Sequence, residues 1–78
     1  MDKLPTVNKV ETGANIRRIL RLNHMSISQL QMELKMSSAT QIYSWCRGDY
    51  MPSIDRLVQM ARLFNCKVED LLVTEEQP

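Results

Sequence analysis

At 78 residues with a net charge of +1, the chain is one small domain whose core lies near the lower limit of what folds without staples or a partner. Residues 1–48 hold seven Lys or Arg against three acids, and residues 49–78 hold three against six, so a basic face is expected on a nearly neutral molecule. No segment approaches the ~18 apolar residues of a membrane span, the amino terminus lacks the apolar stretch of a signal peptide, and no phosphate loop, paired acids or nucleophile motif suggests an enzyme.

Residues 1–11 read as an arm, with some strand-like alternation and with Val7 and Val10 free to pack. From about Thr12 the chain reads as helical. Thr12 caps a first helix running to about Asn23, with Ile16, Ile19 and Leu20 as its buried stripe and Arg17, Arg18 and Arg21 turned away from it. His24 reads as a surface or turn residue. Ser26, followed three residues later by Gln29, has the form of a capping box, and opens a second helix of about two turns through Leu30 and Leu34. Ser37 or Ser38 caps a third helix that ends at Gly48. Pro52 and Ser53 open a fourth, with Ile54, Leu57, Val58, Ala61 and Phe64 on one face. A stub from Val68 to Leu72 carries Glu69 and Asp70 at its positive end. The domain thus spans residues 12–73, and residues 74–78 read as a frayed tail. Cys46 and Cys66 lie in apolar periodic stretches, outside any CxxC or Cys/His cluster, and read as buried free thiols. The methionines read as core filler, with Met32, Met51 and Met60 available to a partner surface.

Two short helices separated by a turn of three or four residues, with further amphipathic helices behind them, suggest a helix-turn-helix. At ~100° per residue, the third helix places Ile42 and Trp45 on one side. Thr40, Ser44, Arg47 and Tyr43 lie on the other, with Gln41 beside them. An amide in Gln41 suits adenine, the hydroxyls of Thr40 and Ser44 donate or accept, and short side chains let a backbone sit deep in a major groove.

From Gly13 to Leu72 the sequence resembles the Cro and phage-repressor (XRE-like) class of helix-turn-helix transcription regulators. The likeness runs through "NIRRIL", "MSISQLQMEL", "IYSWCRG" and "MPSIDRLVQMARLFNCKVEDLL", and is greatest to a small variant common in Firmicutes. It implies an all-α, compact five-helix domain of the lambda-repressor type, binding double-stranded operator DNA as a homodimer in the cytoplasm, with no cofactor, metal or small-molecule ligand. Carried over by residue, positions 38–47 form the recognition helix. Ser38 caps it, Ala39, Thr40, Gln41 and Ser44 face base edges, and Tyr43 lies alongside. Arg47, Gly48 and the loop through Tyr50 grip phosphates, fixing register while the base contacts fix sequence. Lys35 and Arg17 complete the expected DNA-binding surface. Ile16, Ile19, Leu30, Leu34, Ile42, Trp45, Leu57, Ala61, Phe64, Val68 and Leu71 match the core positions.

The sequence departs from the family pattern in three ways. Ile27 stands where many members have a Gln that braces the DNA backbone, with Ser28 or Gln29 a substitute. Lys35 stands where the turn usually has glycine, with one extra residue before the helix. Leu20 and Cys46 stand where many members pair a late first-helix Arg with a late third-helix Glu.

The implied function is a sequence-specific transcriptional regulator, a repressor because no effector domain accompanies it. The competing reading is a protein-binding adaptor or antitoxin-like module on the same fold; a steep fall of DNA affinity with salt separates the two. Leu63, Leu72 and Val73, or alternatively the amino-terminal arm, offer a dimer surface. Exchanging both partners of a buried ion pair for apolar residues is often neutral, whereas a single buried charge is not. Leu20→Arg alone is therefore expected to cost about 3–5 kcal/mol of stability, and an unchanged melting temperature would contradict the apolar pairing.

Overall fold

The computed structural model describes residues 4–76. Along the chain run β1 (Pro5–Val7), α1 (Lys9–Leu22), α2 (Ile27–Glu33), α3 (Thr40–Arg47), α4 (Ile54–Leu63), α5 (Val68–Leu71) and β2 (Thr74–Glu76). The five expected helices are present, and the two three-residue strands pair antiparallel with Thr6 opposite Glu75.

The helix starts are fixed by local chemistry. Asn8 Oδ1 accepts the Glu11 N–H at 2.9 Å, and Ser53 Oγ accepts the Arg56 N–H at 3.2 Å. Ser26 and Gln29 form the full capping box, the Gln29 N–H donating to Ser26 Oγ and the Ser26 N–H to Gln29 Oε1. Each such cap contributes about 1 kcal/mol.

The ends of α1, α2, α3 and α4 share one device. After each, a residue in the left-handed region turns the chain, and two amides fold back on the last carbonyls. Met25 N–H reaches Leu20 O, Met36 N–H reaches Gln31 O, Asp49 N–H reaches Ser44 O and Cys66 N–H reaches Ala61 O. The turning residues are His24, Lys35, Gly48 and Asn65, with φ between 53° and 81°.

Five side chains are fully buried without trace of exposure: Ile16, Leu30, Ile42, Met60 and Leu71, one from each helix. Burying each contributes about 1.5–3 kcal/mol. Around them pack Ile19, Leu20, Leu34, Trp45, Cys46, Leu57, Ala61 and Phe64. The buried Leu20 and Cys46 belong to this apolar cluster, while Val68 is only half-buried against it.

Helix α1 meets α3 at backbone distance. A Cβ on Gly13 would overlap the Trp45 carbonyl oxygen and fall 2.6 Å from that of Cys46. Gly48 makes a second close approach, because a Cβ there would lie 2.6 Å from Val10 Cα.

Several boundaries differ from the sequence reading. Helix α1 begins at Lys9, capped by Asn8, rather than at Thr12. Thr12 is instead buried, its hydroxyl accepting the Val73 N–H at 2.9 Å and donating to Val73 O at 3.4 Å. That long-range tie draws the tail in, so residues 74–76 form β2 rather than fraying, and residues 5–7 pair with them. The remaining arm and tail positions, 1–3 and 77–78, lie outside the described residues. Helix α3 begins at Thr40 with Ala39 at its cap, so neither Ser37 nor Ser38 caps it, and no side chain bonds there. Helix α5 stops at Leu71. On α4 the stripe is centred on Leu57, Met60, Ala61 and Phe64, which turns Ile54 (78% exposed) and Val58 (48%) outward. Met60 is thereby core and not partner surface.

Because two carbonyls sit where a Gly13 methyl would go, Gly13→Ala is expected to lose about 3 kcal/mol. Urea unfolding measures it, with the exposed Ala14→Gly as the comparison, which should lose about 1 kcal/mol. Equal losses would contradict the close α1–α3 approach.

Candidate nucleic-acid interface

The helix-turn-helix is α2, the turn Leu34–Ala39 and α3. The turn is longer than the expected three or four residues because α3 starts late. It reverses direction at Lys35, whose φ of 56° is left-handed, in the position where the family pattern has glycine. Gln31 Nε2 donates to Met36 O at 3.3 Å and so braces the turn from α2.

Beyond the turn, α3 separates its faces cleanly. Ile42 and Trp45 are buried in the core with Cys46. Thr40, Gln41, Tyr43 and Arg47 are exposed, and Ser44 is half-buried. Ser38 and Lys35 are exposed in the turn, and Ala39 is half-buried. The expected polar front is thus open to solvent and mounted on an apolar back.

Two shallow clefts flank Gln41. One is lined by Thr40, Gln41, Ser44, Tyr50, Met51, Ser53 and Arg56, with Trp45 at its floor. The other is lined by Lys35, Met36, Ser37, Ser38, Gln41 and Arg56. The turn, the α3 front and the start of α4 therefore form one continuous strip, polar beside Lys35, Ser37 and Ser38 and more apolar where Trp45 and Met51 line it. Arg56, Ser53 and Met51 belong to it although sequence reasoning did not assign them there. For Arg56 a signal existed, since it occupies the third helical position after the Ser53 cap. There a Glu or Gln closes a capping box and a cation opposes the helix dipole.

The other flank of α3 faces α1. Burial pushes the Cys46 thiol above its ordinary pKa, against the opposing pull of the Arg17 and Arg47 guanidiniums. Burial, with Asp70 adding to it, raises the Cys66 thiol as well. Both cysteines are free. Arg47 is held by two contacts, Nε to Asp49 Oδ2 at 2.9 Å and Nη2 to Ser44 Oγ at 3.3 Å.

Gly48 does not join the exposed strip. It is buried beneath Val10, and its N–H donates to Trp45 O at 3.0 Å. The neighbouring Asp49 N–H is taken by Ser44 O. These two amides, in the segment expected to grip phosphates, close the end of α3 instead. Arg17 likewise lies on the α1 side, apart from the clefts around Gln41.

Residues 16–71 match the helix-turn-helix family model, which is most of the chain. The fold is similar to the DNA-binding domain of BldD from S. venezulae, at 24% identity and a TM-score of 0.71, over 85% of this chain and 97% of that one. It is similar also to the restriction-modification controller protein C.AhdI from Aeromonas hydrophila, at 16% identity and a TM-score of 0.71, over 80% and 92%. At these identities the likeness is one of fold. No curated protein matches the chain. The chain belongs to the helix-turn-helix family. Its class is that of DNA-binding transcriptional regulators, and among the described residues no helix is long and apolar enough to cross a membrane.

A left-handed conformation disfavours any residue with a Cβ. Lys35→Gly is therefore expected to stabilise the domain by about 1 kcal/mol, read as a higher midpoint in urea unfolding. A lower midpoint would mean that the lysine side chain itself holds the turn.

Proposed function

We propose that this regulator is a repressor that works in the cytoplasm as a homodimer, each copy seating the front of α3 in the major groove of one half-site. The observation that carries the reading is the polar, short-chained front of α3 standing exposed on the buried Ile42 and Trp45. The first residues of a recognition helix meet base edges, so Thr40 and Gln41 read sequence, with Ser44 one turn on and Ser38 and Ala39 at the entry. Tyr43 borders them.

Phosphates are met around this front. Lys35 and Ser38 serve the amino-terminal end of α3, and Arg47 and Arg17 the side toward α1. The Arg47–Asp49 pair is more than half exposed at the arginine, and such a pair is worth under ~1 kcal/mol. A phosphate can therefore replace Asp49 at small cost. Gly48 acts differently from the family expectation, through the packing of α3 and not through its amide.

A single α3 covers only one half-site, and half-sites one turn apart, ~34 Å, call for two-fold symmetry. Within the chain the Val73 peptide is already engaged by Thr12 and Asn8. This favours the Leu63 side of the carboxy-terminal helices over the termini as the surface for a second copy.

Selection of bound duplexes from a random pool tests the reading. The wild type should yield a two-fold motif, and Gln41→Ala should lose preference at one position per half-site, a discrimination of about 1–3 kcal/mol. A motif unchanged by the substitution would remove Gln41 from the reading surface.

A further inference from the structure

We propose that Arg56 is the positioning residue that sets the entry of α3, and with it the direction in which Gln41 reads. This rests on the reading of α3 as the DNA-reading helix. The two N–H bonds of Nη1 are both used: one donates to Leu34 O at 2.8 Å and the other to Gln59 Oε1 at 2.9 Å. Gln59 lies one turn along α4 and orients the guanidinium; Leu34 is the last residue of the α2 cap. The cap motif takes the carbonyls of Gln31 and Met32, and Arg56 supplies a donor to that of Leu34, two residues further on.

The bond acts where the chain is most constrained. The Leu34–Lys35 peptide leads into the left-handed Lys35, the point at which α2 gives way to the turn. A charged donor fixed on α4 therefore locks that peptide against rotation, across 22 residues of sequence. A cation in the first turn of α4 is opposed by the helix dipole, and the Leu34 carbonyl, at the negative end of α2, offsets that opposition. The same guanidinium borders the clefts on both sides of Gln41, so its loss is felt by the reading front first. Reading sites tolerate ~0.5 Å of misplacement before function suffers.

Arg56→Met, Arg56→Lys and Gln59→Leu test the assignment. The first measurement needs no DNA: amide chemical shifts of residues 34–41 should move in Arg56→Met, while those of α1 and α5 stay in place. Unmoved shifts in 34–41 overturn the proposal whether or not the protein binds DNA. The second uses the duplex selected by the wild type and a random duplex of equal length. Arg56→Met should weaken the selected duplex about tenfold and blur the position lost in Gln41→Ala, leaving the random duplex nearly unaffected. Arg56→Lys, which keeps the charge and a donor for Leu34 O but not the planar fork, should recover part of the loss, and the exposed Gln59→Leu should show a smaller version of it in a folded domain. Equal weakening on both duplexes, with the slope of log K against log salt reduced by about one, would make Arg56 a phosphate contact and overturn the proposal. Failure of the wild type to select any duplex would sink the DNA reading itself, and the amide shifts would still decide the role of Arg56.

Discussion

The constraint on which the molecule depends is the near contact of two backbones, α1 at Gly13 against the Trp45 and Cys46 carbonyls of α3. With no side chain between them, the helices cannot slide or roll without a collision. Val10 over Gly48 repeats the restriction one turn away. Helix α1 is itself anchored at its start, where Asn8 N–H reaches Val73 O and Thr12 clasps the Val73 peptide. The termini, α1 and α3 are thus one mechanical unit. The short polar front of α3 inherits its direction from contacts on the opposite side of the helix.

A second economy appears at the helix ends. Four helices stop by the same left-handed turn, and only one uses glycine. His24, Lys35 and Asn65 each carry a conformational cost of about 1–2 kcal/mol, appreciable in a domain of this size. The gain is short connections with their amides satisfied. At Lys35 the turn also presents a cation beside the entry to α3, which a glycine there would forgo.

What could be read from the sequence was what local chemistry determines. Ser26 with Gln29 announced its own capping box, Gly48 announced the end of α3, and the spacing of Ile42 and Trp45 fixed which side of α3 faces the core. The misreadings arose where a distant residue decides. Thr12 has the chemistry of a cap, but its hydroxyl is taken by Val73, 61 residues away, and Asn8 caps the helix instead. The strand "TEE" has no alternation to reveal it and exists because "PTV" is brought alongside. On α4, Ile54 and Val58 are as apolar as Leu57, and only packing in the common core selects Met60. Arg56 went unassigned although it carries a local signal, a cation at the positive end of a helix. Its partner, the Leu34 carbonyl, required the fold.

The proposed function requires that the contact between α1 and α3 hold the exposed polar side of α3 out as the DNA-reading surface. Titrating the isotopically labelled protein with a short duplex at low salt, and following backbone amides by NMR, tests it most directly. Shifts are expected on the turn and α3, at Lys35, Ser38, Thr40, Gln41, Ser44 and Arg47, with α5 and β2 unmoved. Shifts that leave the turn and α3 unmoved, or no shifts at all, would contradict it.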